Sequence, residues 1–257
     1  MLLRSQLEKL SQTLTNGNVG HAEKLYLQDI ILRSIYQHTA KEIVFKGGTA
    51  LLKLYSLDRF SEDIDFTAAE SSDLPRLLRN IMRDLENFGA RAEESKKKEN
   101  EISFSALLGI RGPTYNGNRI SLSFVRVEIN KKAQAEHTAV KHYIPLFPDI
   151  PAFEIVALTE EEILAEKLRA LLTRDRARDL YDINHLLNKG VEIMPKLVEK
   201  KLEYYNLAFS VERVEKEAEK KRKSWQDLET LVYSPLPEFS EVLDLLRTKL
   251  EGINDPS

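Results

Sequence analysis

A double glycine early in the chain has the position that a phosphate-binding loop needs. Gly47 and Gly48 separate a short apolar run at 42–45, which predicts a buried strand, from residues 49–55, which have a helical pattern. Backbone N–H groups at the start of such a helix have no partner within it, and the absence of glycine side chains lets phosphate oxygens approach closely. The spacing therefore predicts that Gly48 and Thr49 bind a phosphate group.

Two aspartates follow on a segment that alternates polar and apolar residues. As a strand, residues 63–66 place the side chains of Asp63 and Asp65 on one face, about 6 to 7 Å apart along the chain. Two carboxylates at this spacing repel each other unless a cation lies between them, and a hard cation with oxygen ligands is the usual partner. We expect Asp63 and Asp65 to bind Mg²⁺ that arrives with a nucleoside triphosphate.

Glu128 is a candidate third carboxylate. Positions 125, 127 and 129 form the apolar face of a predicted strand, so Arg126 and Glu128 project from its other face. If this strand neighbours the one that carries Asp63 and Asp65, Glu128 can bind a second metal ion or take a proton from an attacking hydroxyl. The alternative is an exposed carboxylate that pairs with Arg126 or Lys131.

A lysine and an aspartate in the second half of the chain occupy unusual positions. Lys167 lies on or beside the apolar stripe of a helix that begins after Thr159, and Asp182 lies near the inward face of the next helix. Lys167 either extends to the surface or presents its ammonium group to an anion in a cleft. Asp182 can pair with Lys167 and hold it in place, or accept a hydrogen bond from a nucleotide.

The composition limits the chemistry and the partners. The 257 residues include no cysteine, which excludes disulfides, thiolate nucleophiles and cysteine zinc sites, and the five histidines have no close metal-ligand spacing. A net charge of -3 does not indicate a nucleic-acid binder, although a local basic groove remains possible. The basic clusters at 96–98 and 220–223 are interpreted as solvated surface, with contact to nucleic acid as the alternative. No membrane span or signal peptide is indicated, so we expect a cytoplasmic protein.

The predicted elements indicate an α+β fold. Helices are expected at 21–39, at 73–88 with Asp73 as the cap, and at 159–172 with Thr159 as the cap. Segments 102–108 and 120–129 predict an antiparallel hairpin that joins the sheet carrying Asp63 and Asp65. The proline-containing segment 143–153 predicts a crossing segment. The result is a mixed sheet flanked by helices over 1–155, followed by a mainly α-helical region over 156–257.

The order of these motifs resembles the AbiEii/AbiGii toxin family, which belongs to the polymerase-beta-like nucleotidyltransferase superfamily. The resemblance rests on KGGTAL at 46–51, RFSEDID at 59–65, EILAEKLRAL at 162–171 and RDLYD at 178–182, and it extends over about residues 20–190. It implies a polymerase-beta-like nucleotidyltransferase core in 1–155 and an α-helical domain in 156–257 that completes the nucleotide site. It also implies three overlapping sets of site residues: nucleotide-binding Lys46, Gly47, Gly48, Thr49, Arg59, Ser61 and Lys167; catalytic Asp63, Asp65, Glu128, Lys167 and Asp182; and the Mg²⁺ ligands Asp63, Asp65 and Glu128.

The resemblance further implies an activity and its partners. A nucleoside monophosphate would move from a nucleoside triphosphate to an acceptor hydroxyl, and the protein would be the toxin of a type IV, AbiE-like toxin-antitoxin system, tied to phage defence, that acts on tRNA. A winged-helix antitoxin would be encoded nearby. Alternatives are nucleotidylation of an aminoglycoside-like small molecule or of a protein, and a degenerate module that binds nucleotide without catalysis. A tRNA acceptor predicts a basic groove that reaches the aspartates, whereas a small acceptor predicts a closed, acidic pocket.

Overall fold

The computed structural model describes residues 1–39, 42–68, 72–133 and 135–254. The helices in these ranges are α1 (Arg4–Leu14), α2 (Val19–His38), α3 (Gly47–Leu54), α4 (Leu74–Asn87), α5 (Glu160–Thr173), α6 (Ala177–Asn188), α7 (Pro195–Glu203), α8 (Val211–Lys220) and α9 (Phe239–Asn254). The strands are β1 (Ile43–Lys46), β2 (Asp63–Ala68), β3 (Arg91–Glu99), β4 (Ser103–Arg111), β5 (Ser123–Asn130), β6 (Thr138–Tyr143) and β7 (Phe153–Leu158). No helix in the described part of the chain is long and apolar enough to cross a membrane.

The chain divides into two compact units. The first comprises residues 1–50 and 60–157, and the second comprises residues 51–59 and 158–257. The nine-residue segment 51–59 is therefore grouped with the C-terminal part of the chain although it lies between two strands of the first unit in sequence. The sequence-based division at residue 155 stays a prediction.

The first unit is built on a mixed sheet of seven strands in the order β3-β4-β5-β2-β1-β7-β6, as far as the structure describes the chain. The β2 strand pairs antiparallel with β1 and parallel with β5, and β4 lies antiparallel between β5 and β3. Helices α2 and α4 contact each other, and they also contact β5 and β3 respectively. The predicted mixed sheet flanked by helices is confirmed.

Local signals account for the elements that position the site. Alternation of polar and buried apolar residues forms β2 and β5, whose apolar side chains at 64, 66, 125, 127 and 129 are at most 2% exposed. Asp73 caps α4 by accepting a hydrogen bond from the Arg76 backbone N–H at 3.0 Å, as predicted. Thr159 likewise accepts from the Glu162 backbone N–H at the start of α5.

The second unit is helical in its described part, as predicted, but one basic cluster differs from expectation. Lys221 was expected on a solvated helix, and instead it follows the end of α8 with a side chain that is only 1% exposed. Its ammonium group donates to the Asp175 carboxylate at 2.8 Å and to the Arg174 carbonyl at 3.3 Å. The interpretation as solvated surface is wrong for Lys221, because its side chain is buried. A buried ammonium group requires partners of this kind.

Candidate active site on one face of the sheet

The pairing register brings the predicted carboxylates together. Asp65 lies opposite Glu128 on β5 and opposite Lys46 on β1, and Asp63 lies opposite Arg126. Directly opposite residues of paired strands project from the same side of a sheet. These five side chains therefore share one side, which we name the carboxylate face.

Gly47 is required by the closeness of Asp65. Its φ of +77° lies in the left-handed region that favours glycine. A Cβ atom at this position would lie 2.5 Å from Oδ2 of Asp65, well inside contact distance. The glycine thus allows the start of α3 to lie directly against the Asp65 carboxylate, which was not foreseen from the predicted phosphate loop.

Thr49 and Ser61 connect the start of α3 to the start of β2. The Thr49 hydroxyl is fully buried, where it donates to the Asp63 carbonyl and lies 2.8 Å from the Ser61 hydroxyl. From α2, the Gln28 side chain donates to the carbonyls of Ser61 and Glu62 at 2.9 and 3.0 Å. These partly buried hydrogen bonds fix the backbone directly before Asp63. The side chain of Thr49 is therefore used within the protein, and its predicted contact with nucleotide stays a prediction.

Arg126 lies between two of the carboxylates. Its Nε atom is 3.5 Å from Oδ1 of Asp63 and 3.7 Å from Oε1 of Glu128. The three side chains are 36%, 40% and 48% exposed, so solvent and small ions reach them. The guanidinium therefore partly neutralises these two carboxylates, and a metal bound at Asp63 and Glu128 would compete with it.

The predicted metal ligands are of the chemical type that a hard divalent cation prefers. The predicted ligands Asp63, Asp65 and Glu128 all offer carboxylate oxygens. Within the described ranges, no group of three or more acidic, histidine or cysteine side chains is arranged to hold a metal ion by itself. Mg²⁺ commonly uses one or two carboxylates together with water and substrate phosphates, so the Asp63 and Asp65 pair fits a metal that a nucleotide completes.

A cleft of about 240 Å³ borders these groups. Its polar lining residues are Lys46, Asp65, Ser103, Ser105, Glu128 and Asn130. The cleft thus extends from β1 across β2 and β5 to β4, along the carboxylate face. It is open to solvent and has cationic as well as anionic walls, which differs from a closed, acidic pocket.

Three other predicted site residues lie together in the second unit. Asp182 accepts two hydrogen bonds from Arg59, at 2.6 and 2.7 Å, and its Oδ2 atom lies 2.6 Å from the Lys167 ammonium group. Lys167 also donates to Asp179 at 3.2 Å, and Asp179 receives two bonds of 2.7 Å from Arg174. We name these five residues the ion cluster.

Most of the ion cluster is buried, which strengthens the interactions between its charges. Asp179 and Asp182 are fully buried, Arg59 is 2% exposed and Lys167 is 6% exposed. Burial alone would raise the pKa of the Asp182 carboxyl, but Arg59 and Lys167 hold it below its usual value. The pKa of Asp179 is lowered well below its usual range, because Lys167 and Arg174 outweigh its burial.

The predicted pairing of Lys167 with Asp182 is therefore present, and Lys167 does not extend to the surface. The structure places Arg59 with these two residues as well. The predicted contacts of Arg59, Lys167 and Asp182 with a nucleotide stay predictions. Sequence reasoning treated Arg126 only as a partner for Glu128 and gave Asp179 no role. The alternation along β5 was the signal for Arg126, whereas Asp179 had none.

Comparisons with known proteins agree with this fold. The sequence profile described as "Nucleotidyl transferase AbiEii toxin, Type IV TA system" matches residues 30–245. Among solved structures, MenT4, a nucleotidyltransferase toxin from Mycobacterium tuberculosis H37Rv, matches with a TM-score of 0.71 and 20% sequence identity, over 100% of this chain and 91% of that chain.

Two Helicobacter pylori structures are also similar. JHP933 has a TM-score of 0.60 and 19% identity over 91% of each chain, and a putative nucleotidyltransferase has a TM-score of 0.58 and 19% identity over 89% of this chain and 92% of that chain. At these identities the likeness shows the fold alone. A search of curated protein sequences gives no significant match.

The profile match defines the class of the protein as a nucleotidyltransferase, and the fold agrees with it. Because the match covers most of the chain, the family is also defined. The chain belongs to the AbiEii nucleotidyltransferase toxin family of type IV toxin-antitoxin systems.

Proposed function

We propose that the protein transfers a nucleoside monophosphate from a nucleoside triphosphate to a hydroxyl of tRNA. The observation that carries the proposal is the position of Asp63, Asp65 and Glu128 on one face of the sheet, next to Lys46 and the Gly47 turn. Carboxylates for a metal and a cation for phosphates then lie along one open cleft. This combination suits phosphate transfer from a charged donor to a large acceptor.

The reaction has a simple balance of bonds. The acceptor oxygen forms a bond to the α-phosphorus, the bond from the α-phosphorus to its bridging oxygen breaks, and pyrophosphate leaves with the bonding electrons. The hydroxyl proton goes to Glu128, whose half-exposed carboxylate lies opposite Asp65. By taking this proton, Glu128 makes the acceptor oxygen a stronger nucleophile next to Asp65.

The remaining residues of the carboxylate face bind and orient the donor. The Lys46 ammonium group lines the cleft on the other side of Asp65, where it attracts the triphosphate. The backbone N–H groups at the start of α3 add a favourable dipole for the same anion. When bound, Mg²⁺ held by Asp63 and Asp65 supplies charge stabilisation for the α-phosphate and the leaving oxygens.

A toxin of this kind needs a neutralising partner. Membership of a type IV toxin-antitoxin family implies an antitoxin, and we propose that it is a winged-helix protein encoded nearby and that the pair serves in phage defence. Transfer to tRNA would block translation in cells that lack the antitoxin.

The test is a transfer assay with the whole chain. The purified protein is incubated with Mg²⁺, total tRNA and each α-labelled nucleoside triphosphate in turn, beside the Asp63→Ala variant. We expect label on tRNA with the wild type and at least about a hundredfold less with the variant, because a carboxylate proposed to hold Mg²⁺ beside the reacting phosphate is lost. Absence of label on RNA, with label instead on protein or a small molecule, would contradict the proposed acceptor.

A further inference from the structure

One register row of the sheet continues from the catalytic carboxylates to the edge strand. Ser105 on β4 lies opposite Glu128, and Lys98 on β3 lies opposite Ser105. In the adjacent row, Lys96 lies opposite Leu107, which lies opposite Arg126. Since paired residues share a side, Lys96 and Lys98 project from the carboxylate face.

A β-bulge determines the side of the sheet from which these lysines project. The register of β3 against β4 shifts between Glu94 and Lys96, so that Ser95 is the extra residue. Without it, alternation from Glu93 would place Lys97 on the carboxylate face in place of Lys96 and Lys98. With it, Lys97 lies opposite the buried Ala106 on the other side of the sheet.

The two lysines are available to bind an anion. Both are exposed, and neither side chain forms a hydrogen bond or an ion pair with any residue that the structure describes. Lys97 instead lies 5.7 Å from the ring centre of Phe104. Glu99, which also projects from the other side, pairs with Lys131 at 2.7 Å.

An exposed aromatic ring lies on the same side. Phe124 is the second residue of β5, two residues before Arg126; it lies opposite Gly109 and is 39% exposed. A Cβ atom at Gly109 would lie 3.2 Å from the Phe124 ring, so the absence of a side chain there lets the ring lie across β4. One acidic residue of this region, Glu93, lies 3.8 Å from Arg119.

The distance across this face from β2 to β3 suits an extended polymer and is larger than a small ligand would span. Neighbouring strands are about 4.8 Å apart, so β3 lies about 14 Å from the strand that carries Asp63 and Asp65. The cleft beside Asp65 and Glu128 reaches Ser103 and Ser105 on β4, which is the next strand to β3. A bound molecule that reacts at the carboxylates can therefore extend across the face to the lysines.

We propose that the carboxylate face between Asp63 and β3 binds a single-stranded RNA segment, with a base stacked on Phe124 and backbone phosphates on Lys96 and Lys98. Single strands are bound by aromatic side chains that stack on bases and by cations that follow the backbone, and both are present here. The inference rests on the proposed function, because it assigns the path of the acceptor strand to the site where transfer occurs.

The test is direct RNA binding, measured without metal or nucleoside triphosphate. A 5′-fluorescein-labelled single-stranded RNA oligonucleotide is titrated with the whole protein and followed by fluorescence anisotropy at several salt concentrations. Lys98→Gln is compared with Lys97→Gln, which makes the same charge change at the next residue but on the other side of the sheet. Phe124→Leu is compared with Tyr204→Leu, another exposed aromatic residue, which lies in the second unit.

We expect Lys98→Gln to weaken binding several-fold and to reduce the slope of log affinity against log salt by about 0.7, the value for one phosphate contact on a single strand. Phe124→Leu should weaken binding about tenfold, because a stacked base is lost. Lys97→Gln and Tyr204→Leu should retain wild-type affinity. Circular dichroism and the thermal midpoint verify that each variant folds.

Two results would overturn the inference in different ways. If Lys98→Gln equals Lys97→Gln and Phe124→Leu equals Tyr204→Leu while the wild type labels tRNA, the RNA path is wrong and the proposed function stands. If the wild type neither binds the oligonucleotide nor labels tRNA, both the path and the RNA acceptor are wrong.

Discussion

At the residue scale, the site depends on contacts that allow little substitution. Gly47 combines a positive φ with the close approach of Asp65, and Arg126 shares two carboxylates that a metal would also use. For each of these two residues the chain has a comparable residue away from the site, Gly117 for Gly47 and Arg119 for Arg126. A matched substitution there separates the effect on stability or charge from the effect on the site.

Gly47→Ala should both destabilise the protein and displace Asp65. The left-handed backbone costs about 1–2 kcal/mol for an alanine, and the 2.5 Å approach to Oδ2 of Asp65 forces a further shift. Gly117 has a φ of +94° with open space around it, so Gly117→Ala should incur only the backbone cost. Urea unfolding and transfer rates of both variants provide the measurement. Equal transfer rates in the two variants would show that Asp65 is not positioned by Gly47.

Arg126→Gln should tighten binding of a divalent cation. The guanidinium charge that opposes a metal at Asp63 and Glu128 is removed, and one unit charge about 4 Å from a divalent cation in water corresponds to about 2 kcal/mol, or about thirtyfold in affinity. Electron paramagnetic resonance of free Mn²⁺ measures the affinity without nucleotide or turnover. Arg119→Gln makes the same charge change at a residue that is 87% exposed and contacts Glu93 instead. Unchanged or weaker Mn²⁺ binding in Arg126→Gln would contradict a shared site.

At the element scale, α5 and α6 are joined by the ion cluster, and the segment 51–59 contributes Arg59 to it. Four of the five charges are buried, and each of these four depends on its partner far more than a charge in a surface ion pair would. The cluster therefore matters to stability irrespective of any role at a nucleotide.

Asp182→Asn should lower the free energy of unfolding by about 3–5 kcal/mol, because Arg59 and Lys167 would lose the carboxylate that compensates their buried charges. Arg174→Gln removes a partner that is 45% exposed, and it should cost at most about 1 kcal/mol. Urea unfolding of the two variants gives the comparison. Equal losses would show that burial of the cluster is not what makes it stabilising.

The same cluster predicts a loss of stability in acid. The pKa values of Asp179 and Asp182 are lower in the folded protein than in the unfolded chain, where an aspartate titrates near pH 3.9. The unfolded chain takes up protons first, so the stabilisation is fully present above about pH 4 and is lost as the pH falls below it. Urea midpoints measured from pH 6 to pH 3 should fall steeply below pH 4. Asp179→Asn should reduce that slope, and an unchanged slope would rule out its contribution.

The sequence predicted the elements that have strong local signals. Alternation in β2 and β5 and the caps of α4 and α5 were sufficient, and the glycine pair marked the start of α3. The β3 strand was missed because its lysines and glutamates resemble a solvated loop, and its bulge depends on pairing with β4. The burial of Lys221 was equally hidden, since its partner Asp175 lies 46 residues away.

At the scale of the whole molecule, the near-neutral net charge hides cations that lie close to the carboxylates. The chain carries 38 basic and 41 acidic residues, and Lys46, Lys96, Lys98 and Arg126 project from the carboxylate face together with Asp63, Asp65 and Glu128. Composition could not predict this placement, because it arises from the strand register and one bulge. The proposed transfer therefore depends on how this face binds a nucleotide.

The most direct measurement compares the fate of two labels. The protein is incubated with Mg²⁺, total tRNA and either an α-labelled or a γ-labelled nucleoside triphosphate, with Asp63→Asn as the isosteric control. We predict that tRNA acquires the α-label only, that the γ-label leaves in pyrophosphate, and that Asp63→Asn transfers at least about a hundredfold less. Transfer of the γ-label, or an undiminished rate in Asp63→Asn, would contradict nucleotidyl transfer at the carboxylate face.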